Sequence, residues 1–198
     1  MTPDKLSLRP DGTALLVIDV QDKLAAAMPE DGRARTLRNL SSLIEGARLF
    51  WMPVLFTEQY PQGLGHTVPE LARLRDGFDR AVPVVEKREF SATANPGFMQ
   101  ALEDAHSHSN DGSIRTVVVA GMESHICVYQ TVRGLLDCGF QVHVPWDATC
   151  SRDPANVEVA RDLWDRAGAV VTSTETVLFD LLRGADHPHF KAISKLIR

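Results

Sequence analysis

Two spacings of apolar residues alternate along this chain. Continuous apolar runs at 14–20 (ALLVIDV), 53–59 (PVLFTEQ) and 115–120 (RTVVVA) read as strands covered on both faces. Shorter runs at 82–86, 141–146 and 169–172 supply three more. Between them the apolar positions recur every three or four residues, as in Leu37, Leu40, Ile44 and Ala47, which predicts a covering helix over 33–50. The same rhythm predicts helices near 69–75, 98–106, 127–137, 153–167, 174–182 and 187–197, with Gly139 and Gly168 placed to end two of them. Turn residues dominate 60–67 (YPQGLGHT) and the polar loop HSHSNDGS. Strands alternating with helices imply an α/β, doubly wound, three-layer αβα fold with a six-stranded, mainly parallel sheet and right-handed crossovers. The common strand order for such a sheet is 3-2-1-4-5-6.

The 198 residues show no internal repeat or linker, so a single domain over 1–198 is expected, with a helical tail at about 187–197. Cys127, Cys138 and Cys150 are odd in number and lack CxxC spacing, so they suggest neither a disulfide framework nor a zinc knuckle; a reducing cytoplasm fits them best. The first residues lack a basic-then-apolar leader pattern, and no apolar run reaches membrane-spanning length, so no membrane association is expected. A formal net charge of -5 with no basic stripe argues against a nucleic-acid partner. A small-molecule substrate is the better expectation. On the tail, Phe190, Ile193 and Ile197 recur at helical spacing and should dock on this domain or on a second copy of it.

Ligands of open parallel sheets bind beyond the carboxyl ends of the strands. Three polar residues stand at such ends: Asp19 after the first strand, Lys87 after the third and Cys127 after the fourth. In 116–132 (TVVVAGMESHICVYQTV) the strand stops at Gly121 so that Cys127 opens a helix, where unpaired backbone N–H groups favour a thiolate. A thiol so placed should alkylate near neutrality, ahead of Cys138 and Cys150, which read as structural. Each residue also has a plainer reading. Cys127 alone would be a small buried hydrophobe, Asp19 a cap for the following segment and Lys87 a solvated strand-end cation. Their convergence favours chemistry.

DVQDKL, EKREFSA and AGMESHICVYQTV, in this order and spacing, resemble the three motifs of the isochorismatase-like cysteine hydrolases. TEQYPQGLGHTVPEL, VTSTETVLFDLL and HPHFKAISKLIR are similar to the isochorismatase domain-containing branch, so the resemblance covers nearly the whole chain. It implies a catalytic triad of Asp19, Lys87 and Cys127. It also implies a cis peptide between Met122 and Glu123 that orients the N–H groups of Glu123 and Cys127 as an oxyanion hole, and a homo-oligomer. The expected activity is hydrolysis of a small carboxamide or related acyl compound through a thioester on Cys127. Nicotinamidase members hold a metal through an aspartate and histidines at the exit of the second strand. This chain has Glu58, Gln59 and Tyr60 there, with His66 nearby, so no metal and no cofactor are expected.

Members that cleave the vinyl ether of isochorismate can work without the cysteine, so its presence here leans toward acyl chemistry. The alternatives are such a cysteine-independent reaction or a catalytically idle oligomeric interaction protein; nuclease activity has little support. By position, Gln21, Tyr60, Phe90 and His125 are expected to line the substrate site, although Phe90 reads equally as core and His125 as a polar turn residue. Trp146 and Asp147 end the fifth strand near the rim. The histidines at 106, 108, 187 and 189 lack ligand spacing.

Overall fold

The computed structural model describes residues 5–106 and 114–198; the polar loop read at HSHSNDGS falls, for residues 107–113, outside the described residues. Strands β1 (Thr13–Ile18), β2 (Val54–Gln59), β3 (Val84–Lys87), β4 (Thr116–Met122), β5 (Gln141–Pro145), β6 (Thr149–Cys150) and β7 (Val170–Thr172) form one sheet. The main path runs β3-β2-β1-β4-β5-β7, and every pair within it is parallel. The expected order is therefore found, with β7 as its sixth strand. The addition is β6, a two-residue strand that pairs Thr149 with Gly121 and Cys150 with Met122 beyond the end of β5. Two residues carry no readable alternation, which is why the pattern of the sequence passes over it.

Helices cover both faces: α1 (Asp22–Ala26), α2 (Glu30–Leu49), α3 (Pro61–Leu64), α4 (Pro69–Asp76), α5 (Pro96–His106), α6 (Tyr129–Asp137), α7 (Ala155–Ala167), α8 (Thr174–Leu182) and α9 (Phe190–Leu196). Strand alternation sorts the core. Leu15 and Val17 of β1 face a cluster with Leu40 and Ile44 of α2, Leu71 of α4 and Leu178 of α8, while Leu16 and Ile18 face Phe98 of α5, Val132 of α6 and Trp164 of α7. All six residues of β1 are buried, as expected of a central parallel strand. Helix α2 starts at Glu30, three residues before the expected boundary, because Pro29 sets its entry and two acids, Glu30 and Asp31, occupy its first turn where the helix dipole favours them.

The tail stripe is used within the chain. Ile193 of α9 is fully buried in the α2 side of the core, with Phe190 and Ile197 packed against the same cluster. Gly46 of α2 makes room for α8: a methyl group there would run into Leu178 and lie in ordinary contact with Ile193. His187 and His189 pack against Phe50, one ring tilted and the other edge-on, with ring centroids 5.4 and 5.7 Å away.

One buried histidine ties the sheet to the N-terminal strap. His143 of β5 is 1% exposed, with Nε2 3.0 Å from the Lys5 carbonyl. Burial lowers its pKa against the smaller opposing pull of that hydrogen bond and of the Asp180 charge. Because the folded pKa lies below the unfolded one, the unfolded chain binds the proton more readily. The neutral ring thus contributes stability that is complete above the unfolded value of about 6.5 and lost as pH falls through the folded pKa. Urea midpoints should fall between about pH 7.5 and about pH 5, and fall less in His143→Gln, which keeps a donor but cannot titrate. An equal fall in both proteins would refute the assignment.

Candidate active site

At the carboxyl edge of the sheet, β1 and β4 converge. Ile18 pairs with Gly121, whose φ of 125° and missing side chain allow the approach, since a Cβ would strike the Ile18 backbone. Beyond this pair the two chains part. Asp19 adopts a left-handed φ of 50°, rare for a non-glycine residue, which breaks the strand alternation. Its carboxylate thereby meets groups from the face that carries Ile18. On β4, the Met122–Glu123 peptide is cis, as the resemblance implied. A single π-helical turn, Ser124–Val128, follows and leads directly into α6, so that Cys127 lies in the turn before the α-helix begins.

Asp19 and Lys87 form an ion pair at 2.6 Å with both side chains at 0% exposure. Lys87 is thus not a solvated strand-end cation. Such a pair survives burial only when the remaining hydrogen-bonding capacity is met. Here Thr57 Oγ1 donates to Asp19 Oδ1 at 2.7 Å, and Lys87 Nζ also donates to Gln59 Oε1 at 2.8 Å and to the carbonyls of Glu89 and Phe90 at 3.3 Å. Cys127, 6% exposed, completes the cluster through a side-chain hydrogen bond to Asp19.

The surroundings of the thiol oppose its ionisation. Burial first, then the Asp19 carboxylate, pushes Cys127 up to about 12, against which the Lys87 charge pulls only partly. Desolvation and the neighbouring anion thus work against the thiolate expected from the helix start, and the cation opposes them. The order of labelling reverses with it. Cys138 is exposed, whereas Cys127 and Cys150 are buried and Cys150 is also raised, to about 11. Iodoacetamide at neutral pH should therefore modify Cys138 first, and peptide mapping that finds Cys127 labelled first would contradict this burial.

The four expected lining residues separate. Gln21 is fully buried: its Nε2 donates to the carbonyls of Gln59 and Gly65 at 3.1 and 2.5 Å, and its Oε1 accepts from the Gln59 N–H at 2.7 Å. Its amide is spent on bracing the strand end behind Lys87. Tyr60, left-handed at φ 39°, stacks under Arg88 at 4.3 Å and helps line a 270 Å³ cavity with Lys87, Glu89 and Asn95. Phe90 is 52% exposed and so is not core. His125 Nδ1 lies 2.9 Å from Ser151 Oγ. Trp146 is held between the guanidinium groups of Arg35 and Arg161 at 5.0 and 4.7 Å, and Asp147 accepts from the Thr174 N–H at 2.8 Å, so both serve the scaffold.

The residues at the exit of β2 do not fit a metal. Glu58 Oε1 accepts from Thr67 N and Oγ1 at 2.6 and 2.7 Å and its Oε2 lies 2.9 Å from His66 Nδ1, while Gln59 faces Lys87. Among the described residues no three His, Cys, Asp or Glu side chains converge as a ligand set.

Sequence reasoning missed Thr57, Gln59, Ser151 and Arg152. The first two carried a signal, since Leu55, Thr57 and Gln59 share one face at period two and that face continues toward Lys87.

None of the described helices is long and apolar enough to cross a membrane. Comparison with known proteins places residues 13–176 in the isochorismatase domain. Isochorismatase domain-containing protein 1 of Salmo salar is 33% identical over 196 residues, which span 97% of this chain but 63% of that protein. The chain thus covers less than two thirds of this relative's length. The structure of MAR1 ribonuclease from Caenorhabditis elegans is 35% identical, with a TM-score of 0.84 over 96% of this chain and 92% of that one. YcaC from Pseudomonas aeruginosa, solved with hexane-2,5-diol and covalent acrylamide, is 25% identical, with a TM-score of 0.85 over 99% and 93%. Since the matched segment runs from the first residue of β1 past the last of β7 and includes Asp19, Lys87 and Cys127, this chain belongs to the isochorismatase family.

Proposed function

We propose that this protein is a hydrolase of small carboxamides or related acyl compounds, working without a metal through a covalent intermediate on Cys127. One observation carries the reading: a buried thiol hydrogen-bonded to a carboxylate that is itself held by a buried ammonium. Because burial and the Asp19 carboxylate favour the protonated thiol, attack and deprotonation proceed together. Cys127 Sγ bonds to the substrate carbonyl carbon as its proton passes to Asp19. The N–H groups of Glu123 and Cys127 receive the developing oxyanion, each such donor lowering the barrier by about 3 kcal/mol. Asp19 then returns the proton to the departing amine as the C–N bond breaks, leaving a thioester. Water, deprotonated by Asp19, attacks the thioester, and the acid leaves as the proton returns to sulfur. Lys87 keeps the carboxylate in place throughout. Tyr60 and Phe90, both partly exposed beside Lys87, shape the entrance, while Gln21 acts by positioning. The covalent acrylamide on YcaC supports the choice of a nucleophilic site.

Incubation with a library of small amides followed by intact mass spectrometry tests this. An added mass equal to substrate minus amine is expected, absent from Cys127→Ala. Adducts of equal yield in both proteins, or none with any hydrolysed amide, would overturn it. The same proposal places the protein in a reducing cytoplasm, which suits three unpaired cysteines, and makes it a homo-oligomer. The tail is packed within the chain and gives no argument for assembly.

A second reading, RNA cleavage, draws on the ribonuclease from C. elegans. The net charge of -5 opposes it. Labelled RNA should remain intact at low salt; cleavage that weakens as salt is raised would favour this second reading.

A further inference from the structure

The turn that carries Cys127 hangs on a segment outside the triad. Strand β6 pairs with Gly121 and Met122, and the two residues after it each reach into the turn: Ser151 Oγ lies 2.9 Å from His125 Nδ1, and Arg152 grips Glu123. The grip is double. The Arg152 backbone N–H donates to Glu123 Oε2 at 2.9 Å, and its Nε donates to both carboxylate oxygens at 3.2 and 3.1 Å. Glu123 is 4% exposed, whereas the Arg152 side chain is 61% exposed. A carboxylate is thus buried beside the nucleophile's turn, and its balancing cation approaches from solvent.

The charges around Cys127 make this placement consequential. Asp19 comes from the end of β1, Lys87 from β3 and Glu123 from the nucleophile's own turn; both carboxylates disfavour the thiolate and Lys87 favours it. His125 in the same turn is engaged with Ser151, and on α7, which packs against the turn, Arg161 is engaged with Glu158. Arg152 is the cation paired with Glu123.

We propose that Arg152 is a positioning residue that acts through Glu123, holding the nucleophile's turn and cancelling the field of a buried carboxylate at Cys127. The inference rests on the reading of Cys127 as nucleophile for its importance, but not for its test. Two roles would be combined in one side chain. A purely mechanical brace predicts that any loss of the contact harms Cys127. A charge-cancelling residue predicts instead that the harm disappears when the carboxylate goes too.

The test is the rate of Cys127 alkylation by iodoacetamide, followed by peptide mapping in a Cys138→Ser background, at several values from about pH 7 to about pH 10, because below its pKa the rate follows the thiolate fraction. Arg152→Ala should slow alkylation by roughly three- to tenfold at a given pH, a tenfold change corresponding to one pKa unit. Adding Glu123→Gln should restore the rate to that of the parent, and Arg152→Lys should keep most of it. Ser151→Ala, which breaks the other contact to the turn without changing charge, should leave the pH dependence unmoved. The proposal is overturned if Arg152→Ala leaves the rate unchanged, or if Glu123→Gln fails to reverse the loss while circular dichroism shows both variants folded. Since alkylation needs no turnover, failure of the hydrolase reading shows separately, as turnover that persists in Cys127→Ala.

Discussion

Replacing Cys127 by alanine should abolish turnover of any amide the protein hydrolyses, by roughly 10⁴-fold or more, with little change in stability. The size follows from the division of labour at the strand ends. Asp19 carries the proton of the thiol, and Lys87 holds Asp19, so neither has a function once sulfur is gone. Adding Asp19→Asn or Lys87→Ala to the alanine variant should therefore cost little more in rate, because members of one catalytic unit are not additive. Single-turnover and steady-state rates of the single, double and triple variants supply the measurement. Near-normal turnover in Cys127→Ala would remove acyl transfer. Asp19 and Lys87 would then serve a cysteine-independent reaction of the kind that cleaves vinyl ethers.

The second large effect is on folding. In Lys87→Met the Asp19 carboxylate stays at 0% exposure with its cation gone and only the Thr57 hydroxyl and the Cys127 thiol as side-chain partners. A buried charge so stranded should cost about 3–5 kcal/mol in urea denaturation at neutral pH. Asp19→Asn should cost less, since the Lys87 ammonium keeps the Gln59 amide oxygen and two backbone carbonyls. The double variant should recover much of the loss of Lys87→Met, as the stranded anion is then neutral. A loss below about 1 kcal/mol for Lys87→Met would mean that water or a rearranged partner reaches Asp19.

The legible part of the site is the part written as a break in a pattern. Asp19, Lys87 and Cys127 each follow an apolar run, and the rule that ligands gather at the carboxyl ends of parallel strands brings such breaks together. Thr57 and Gln59 were readable by the same logic had the second strand been split into its two faces. Other features depend on backbone paths that periodicity does not encode. Gln21 lies where a lining residue would be expected, yet the course of residues 60–67 turns its amide inward to Gln59 and Gly65. The protonation of Cys127 depends on burial, which no spacing reports. Arg152 sits in the segment after β6, a strand of two residues, and nothing in its immediate sequence marks it as the partner of Glu123.

The parallel sheet also has a consequence for how a ribosome delivers this protein. The central strand emerges first, yet β1 cannot gain its β4 neighbour until Thr116, the partner of Thr13, has left the exit tunnel about a hundred residues later. Even then the nucleophile's turn lacks β6, Ser151 and Arg152, and Ile193, which covers α2, follows only after α8. At about 5–20 residues per second, seconds separate the appearance of Asp19 from that of the α9 residues that shield the core. During that interval the apolar face of α2 and an unpaired edge of β1 are open to other chains, so nascent molecules truncated before α9 should be the species that chaperones retain.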